Sequence, residues 1–261
     1  LVLVAHQILM DGPSWGILYR ELSARYASRI EEHDGVQLAV FYHPEHEWNV
    51  ERIIESLKDS ISYFSETFSP YQYRQMRVLE FPVYSTFAQS FPNTVPWSEG
   101  IGFIADITDP EDIDYVYYVG AHEVAHQWWA HQVSAANVQG QSSIIETLSQ
   151  YSALMLMERE YGPHIMRRFL KYELDNYLSS RGGEAIEELP LYRVENQGYI
   201  HYRKGSIVMY ALTLAGRATD AAQTADIAYT WPMVAAITGW IVITHDSSVW
   251  RCNNALPHFL Q

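Results

Sequence analysis

The chain has 261 residues and a mass of 30.1 kDa, and 48% of its residues are apolar, which is enough for a packed core and too much for a disordered chain. Acidic residues outnumber basic ones by 31 to 17, and the resulting net charge of −14 argues against a nucleic-acid partner because phosphate backbones are repelled. The single cysteine, Cys252, excludes an internal disulfide and a cysteine-rich metal site.

Neither a membrane span nor a secretory signal is predicted. The longest apolar run, 233–244, is shorter than the roughly 20 residues of a span and is interrupted by Thr238 and Gly239. Residues 1–10 have neither a basic start nor a cleavage site. Because the first residue is not methionine, we expect a fragment or a trimmed chain, so the compartment stays open between the cytoplasm and a membrane-associated location.

In chain order, the N-terminal part alternates strands with a long helix. Residues 1–10 fit a strand or a buried helix equally well. The elements predicted after them are a helix over 17–30 with Ser14 as its cap, strands over 36–42 and 76–81, a helix that begins after Asn49 and ends before Pro70, a loop over 85–98, and a third strand over 101–105.

From Asp112 onward the pattern becomes helical. The predicted helices cover 112–133, 143–161, 163–178 and 200–215, with a loop over 181–198. Strands that precede helices favour an α+β fold. We leave 1–23 unassigned and expect the aperiodic tail 217–261 to be poorly packed or non-native in sequence.

The most informative pattern is His122-Glu123-Val124-Ala125-His126. On a helix, residues four apart share a face, so the two imidazoles can bind one metal ion. Glu123 lies beside them and can accept a proton from water without being a ligand. Apolar residues flank the motif on several faces of the helix, which indicates burial, and buried histidines need polar partners.

A third ligand is expected from the next helix, where Glu146 lies near the start. Glu146 also follows Ser143 by three residues and could instead close a capping box. His131 is a competing ligand, although it lies five residues after His126 and away from its face. The spacing alone does not decide among these interpretations.

Residues 122–132 (HEVAHQWWAHQ) followed by Glu146 resemble the aminopeptidase N family of zinc metallopeptidases, which are gluzincins with a thermolysin-like catalytic domain. Between His126 and Glu146 the chain has one residue more than the family usually places. Tyr202-Arg203-Lys204-Gly205 resembles the family's Tyr-x-Lys-Gly segment, and residues 98–104 resemble a divergent form of its Gly-x-Met-Glu-Asn strand.

The resemblance covers about residues 24–216 and implies that they form one catalytic domain, in which a small mixed sheet packs on a mainly helical lobe with the metal between them. It implies one Zn²⁺ ion held by His122, His126 and Glu146. It further implies that Glu123 is the general base, that Tyr202 donates to the oxyanion, and that Glu99 binds the free amine of a peptide substrate whose backbone pairs with the Glu99 strand. The similarity is to a bacterial branch often joined to membrane transporter segments, which implies a membrane-protein context in the parent.

Two alternatives are retained. Gly12-Pro13-Ser14-Trp15-Gly16 matches the nucleophile pattern of serine hydrolases, although too few residues precede Ser14 to build the sheet of that fold. A Gly-Pro turn followed by a serine helix cap also explains this segment. The other alternative is an inactive, truncated domain that binds peptides or a membrane partner.

Overall fold

The computed structural model describes residues 25–219, 242–245 and 248–251, without side chains for 215–219 and the last two segments. The apolar run 1–10, the Ser14 motif and most of the predicted helix over 17–30 therefore lie outside the described residues. In the described part of the chain, no helix has both the length and the apolar character needed to cross a membrane.

A four-stranded mixed sheet forms the N-terminal part of the described chain. Its strands are β1 (Ala27–His33), β2 (Val36–Tyr42), β3 (Gln75–Phe81) and β4 (Thr94–Ser98), in that spatial order. β1 and β2 are antiparallel and are joined by Asp34–Gly35, whose φ angles of 51° and 76° suit a tight hairpin turn. The pairs β2–β3 and β3–β4 are parallel, so these three strands end at the same edge.

Helix α1 (Val50–Thr67) covers one face of this sheet. Its apolar residues recur at helical spacing and are at most 1% exposed at Ile53, Ile54, Leu57, Ile61 and Phe64. The cap position is Asn49, as predicted, but its side chain donates to the carbonyls of Gly102 and Ala105 instead of capping the helix. Asn49 therefore fastens the start of α1 to the loop that follows β4.

The rest of the fold is helical. It consists of α2 (Tyr115–Ala125), α3 (Leu148–Tyr161), α4 (Met166–Gly182) and α5 (Gly205–Thr219), with π-helical turns at Ser143–Thr147 and Tyr199–Lys204 and 3₁₀ turns at Glu99–Ile101 and Leu191–Arg193. α2 packs closely on α1. The contact at Gly120 leaves no room for a side chain, since an added Cβ would lie 2.4 Å from Oγ of Ser56. The α+β class and the small mixed sheet on helices are confirmed.

Two predicted elements are wrong. The described end of the helix predicted over 17–30 is strand β1, and the strand predicted over 101–105 is a 3₁₀ turn and a loop. The third parallel strand is instead β4, inside the predicted loop 85–98. The presence of Pro96, which has no backbone N–H, favoured the loop prediction. In β4 this N–H is not needed, because Pro96 takes part only through its carbonyl, which accepts from Gln89 N at 3.1 Å.

The predicted helix over 112–133 is shorter than expected, since α2 ends at Ala125 and is followed by turns and β5 (Val133–Ser134). β5 pairs with β6 (Val242–His245), which pairs with β7 (Ser248–Arg251), and both pairs are antiparallel. The prediction of a poorly packed tail did not anticipate these two strands. The remainder of the tail lies outside the described residues.

Candidate metal centre

Helix α2 and its C-cap residue His126 place both histidines of the HExxH motif at one buried position. His122 and His126 are 8% and 7% exposed, and residues on every side of the helix are buried, which agrees with the predicted burial. The first turn is capped by Asp114, whose side chain accepts from Tyr117 N at 3.0 Å. The helix is thus fixed at its start and enclosed along its length.

Three ligand atoms form a nearly equilateral triangle. Nε2 of His122 and Nε2 of His126 are 3.1 Å apart, and Oε2 of Glu146 is 3.5 Å from the first and 3.3 Å from the second. In a tetrahedral zinc site with bonds of about 2.0–2.2 Å, neighbouring ligand atoms are about 3.3–3.6 Å apart. Two of the three distances lie in this range and the third, 3.1 Å, is slightly shorter, so the atoms are close to the spacing of three corners of such a site and the group can hold a metal ion.

Hydrogen bonding in the site also fits a cation. Oε2 of Glu146 and Oε2 of Glu123 are buried and make no hydrogen bond of good geometry to any described residue. A buried carboxylate oxygen without a partner is costly, and a metal ion at the triangle would satisfy that of Glu146. The residues present thus fit a divalent metal.

The ring of His126 is oriented by its second nitrogen. Nδ1 lies 3.1 Å from the carbonyl oxygen of Trp129 and 3.0 Å from Oγ of Ser149 on α3. Donation of Nδ1–H to that carbonyl leaves the lone pair on Nε2, the atom in the triangle. The contact therefore selects the tautomer that binds metal.

Glu146 belongs to the π-helical turn Ser143–Thr147, and its capping-box interpretation is wrong. The N-cap position Ser142 makes no side-chain cap, and Oγ of Ser143 donates to the carbonyl of Leu191 at 2.5 Å. A π turn closes i→i+5 bonds and so holds about one residue more than an α turn. It can accommodate the extra residue between His126 and Glu146.

Tyr202 lies in the second π-helical turn, and the two π turns contact each other. Thr147 Oγ1 donates to the carbonyl of His201 at 2.5 Å, and a Cβ on Gly205 would lie only 2.5 Å from that same Oγ1. This close approach brings the Tyr202 ring to 5.8 Å from the ring of His122. The structure therefore joins Tyr202 to the predicted metal ligands.

The two carboxylates of the site, Glu146 and Glu123, have pKa values that are shifted in opposite directions. Burial acts to raise the pKa of Glu146, but the adjacent His122 and His126 outweigh it and hold the pKa well below its usual value. Burial raises the pKa of Glu123, and the two imidazoles offset this only in part. Burial and the nearby Glu146 carboxylate raise the pKa of Tyr202 far above its usual value, which keeps the phenol protonated.

The structure does not place Glu99 with these residues. Oε1 of Glu99 accepts from Val83 N at 2.9 Å, and Oε2 lies 3.7 Å from Nδ1 of His46. His46 and Glu80 complete this second cluster where β3 and β4 end, with Nδ1 of His46 2.5 Å from Oε1 of Glu80. Because these groups are engaged with one another and with the backbone, the second cluster is explained without a metal.

The strand before Glu99, β4, is covered along both of its edges. β4 pairs with β3 on one side, and on the other side Phe91 exchanges backbone hydrogen bonds with Thr94 while Ser98 N donates to Phe87 O. The segment predicted to be the Glu99 strand is a 3₁₀ turn and a loop, so it does not have the strand conformation that pairing with a substrate backbone would need. The outer extended segment is 87–91.

Gln127 is a site residue that the sequence did not reveal. It follows His126, is fully buried, and donates to Oγ of Ser90 at 2.7 Å and to the carbonyl of Phe91 at 2.9 Å. Segment 87–91 is thereby bound to the residue next to His126, a candidate metal ligand. His131, the competing ligand, has its buried Nε2 unpartnered within the described chain but does not belong to the three-residue group.

Comparison of the chain with protein-family models gives no match, and comparison with curated proteins gives none either. The assignment of the centre therefore depends on the geometry of His122, His126 and Glu146, with Glu123 and Tyr202 beside them.

Proposed function

We propose that the protein is a zinc-dependent peptide hydrolase that removes N-terminal residues from peptides. The observation that carries the proposal is the triangle of Nε2, Nε2 and Oε2 atoms at tetrahedral spacing, with a further buried carboxylate next to it. Two histidines and one glutamate are the donor set of hydrolytic zinc sites, which leave the fourth position for water or substrate.

His122, His126 and Glu146 would hold the ion. Zn²⁺, when bound, supplies Lewis-acid activation of water and of the scissile carbonyl. A closed structural site would use four protein ligands, whereas the described residues offer three. The donor set therefore favours a catalytic over a structural role.

Glu123 is proposed as the general base. Its carboxylate is 6% exposed, and its Oε2 makes no hydrogen bond to the described residues, so it is available to accept a proton from the attacking water. The same carboxyl then delivers that proton to the leaving amine as the peptide bond breaks. Its position next to His122 in the chain keeps it beside the reacting groups without making it a ligand.

Tyr202 is proposed to donate to the oxygen of the scissile carbonyl as negative charge develops there. The phenol stays protonated because burial and the Glu146 carboxylate raise its pKa. A donor whose interaction strengthens as charge develops lowers the barrier more than it tightens substrate binding.

Segment 87–91 is the best-placed backbone for an extended peptide. It lies beside β4, to which the isolated bridges Ala88–Trp97 and Phe91–Thr94 connect it, and it is bound to Gln127, directly after His126 in the chain. An incoming peptide could add a strand here and present its first bond to the metal centre. Preference for a free N-terminus rests on the family resemblance, because Glu99 is engaged elsewhere.

The test is hydrolysis of a panel of aminoacyl arylamides, with zinc content measured on the same preparation, with and without chelator. Glu123→Gln should keep the zinc and lower turnover by about 10²–10⁴-fold, while Glu160→Gln, a carboxylate outside the site, should match the parent. Parent protein that binds zinc but hydrolyses no member of the panel, nor any N-acetylated peptide, would point to the inactive peptide-binding domain instead. Cleavage of blocked peptides as readily as free ones would make it an endopeptidase.

A further inference from the structure

Glu173 on α4 is a buried charge that the proposed mechanism does not use. Its exposure is 0%, the lowest among the charged residues that the structure describes. Its Oε1 accepts from Arg203 Nη1 at 2.9 Å, from the Tyr118 hydroxyl at 3.1 Å and from Gln150 Nε2 at 3.3 Å. Ser206 Oγ lies 3.5 Å from Oε2. A carboxylate this deep is stable only with such partners.

The three partners of Oε1 come from the three segments that form the candidate site. Tyr118 precedes His122 by one helical turn on α2, and Gln150 follows Glu146 by the same interval. Arg203 is the direct neighbour of Tyr202. Glu173 thus joins the segments of a metal ligand, a second metal ligand and the proposed oxyanion donor, while contributing no atom to the site itself.

Of the three contacts of Glu173 Oε1, the one with Arg203 affects the position of Tyr202, because Arg203 and Tyr202 are neighbours in the chain. The Arg203 guanidinium also lies over the ring of Tyr172 at 5.2 Å, so two residues of α4 define its position. A planar guanidinium held by a buried carboxylate fixes its backbone more firmly than a mobile surface side chain would. A buried ion pair is weak evidence for net stability, so the hypothesis to test here is that the pair specifies an arrangement.

We propose that Glu173 is a positioning residue whose ion pair with Arg203 fixes the phenol of Tyr202 relative to His122 and Glu146. The catalytic role of that phenol rests on the proposed function, whereas its position does not.

The test removes the pair without leaving a charge buried alone. Arg203→Met by itself would strand the Glu173 carboxylate and could unfold the chain, so the informative variant combines Glu173→Gln with Arg203→Met. The matched control combines Lys171→Met with Asp175→Asn, an exposed ion pair on the same helix. Both variants lose one positive and one negative charge from α4 and its partners.

The first readout needs no activity. In protein labelled with 3-fluorotyrosine, the ¹⁹F resonance of Tyr202 is identified by its loss in Tyr202→Phe. We expect this resonance to shift or broaden in the Glu173/Arg203 variant and to stay at the parent position in the Lys171/Asp175 control. An unchanged resonance in the Glu173/Arg203 variant, or an equal change in both variants, would overturn the proposal.

The second readout is kinetic. Because a displacement of about 1 Å can cost about 10²-fold in rate, the Glu173/Arg203 variant should lose kcat on that scale with KM near the parent value and zinc still bound. In a Tyr202→Phe background the same pair of substitutions should have little further effect. Fully additive losses would mean that the pair acts elsewhere. If the resonance shifts in the Glu173/Arg203 variant but the parent protein hydrolyses no substrate, the positioning role of Glu173 stands and the proposed function is refuted.

Discussion

Replacing Gly205 with alanine places a methyl group against Thr147 at the contact between the two π-helical turns. The added Cβ would lie 2.5 Å from Oγ1 and 2.7 Å from Cγ2 of Thr147, well inside contact distance. Thr147 must then move, and its hydrogen bond to the carbonyl of His201 is lost or weakened. Since Glu146 and Tyr202 are adjacent to these residues, the same movement would separate the proposed metal ligand from the proposed oxyanion donor.

The size of the effect follows from three contributions. Overpacking costs about 1–3 kcal/mol, and a typical hydrogen bond contributes about 0.5–1.5 kcal/mol. Alanine regains up to about 1 kcal/mol through its higher helix propensity. The net loss in the free energy of unfolding should therefore be about 0.5–4.5 kcal/mol. Each kcal/mol lowers Tm by about 2–4 °C in a chain of this size.

Chemical and thermal unfolding of Gly205→Ala measure this loss, with Gly182→Ala as control because a Cβ there meets nothing within 4 Å. Thr147→Ala removes both clashing atoms and leaves only its Cβ, 3.2 Å from the new methyl group. The double variant Thr147→Ala/Gly205→Ala should therefore lose little more stability than Thr147→Ala alone. A Gly205→Ala variant as stable as the parent, or a double variant with fully additive losses, would refute the close packing of the two turns.

Three further predictions concern the site. His126→Ala should abolish stoichiometric zinc binding, and Glu146→Ala should weaken it by more than the ~10–100-fold typical of a group outside the ligand set; unchanged affinity in Glu146→Ala would make His131 the next candidate. Tyr202→Phe should lower kcat by about 10²–10³-fold with little change in KM, and parent-like kinetics would remove the phenol from the mechanism. Glu99→Ala should leave kcat/KM on free-amine substrates near the parent value, because its carboxylate is engaged with Val83 N; a loss of orders of magnitude would restore it as the amine anchor.

Local patterns predicted the parts of the fold that depend on local physics. The apolar spacing of α1 and the β-branched residues of β2 each define one buried face, and both elements were identified. The HExxH pair is likewise a property of one helix. These features need no knowledge of the rest of the chain.

The errors come from features that tertiary contacts decide. Pro96 argues against a strand in isolation, but β4 needs only its carbonyl, and the burial of Val95 and Trp97 supplies the period of two. Glu99 was matched to a family strand by sequence letters, whereas its partners Val83 and His46 are distant in the chain. No local sequence pattern indicates contacts between residues that are distant in the chain.

The π-helical turns and the Glu173 network were not predictable for the same reason. A π turn differs from an α turn by one residue, and the sequence around Glu146 has no pattern that marks it. Glu173 is one of several charged residues on an amphipathic helix, and only the approach of Arg203 and Tyr118 distinguishes it.

The ligand triangle is tested most directly by anomalous diffraction at the zinc edge from crystals of the parent protein grown with one equivalent of zinc. We predict one strong peak per chain, about 2.0–2.2 Å from Nε2 of His122, Nε2 of His126 and a carboxylate oxygen of Glu146. No peak at that place, or one instead between His46, Glu80 and Glu99, would contradict the assignment.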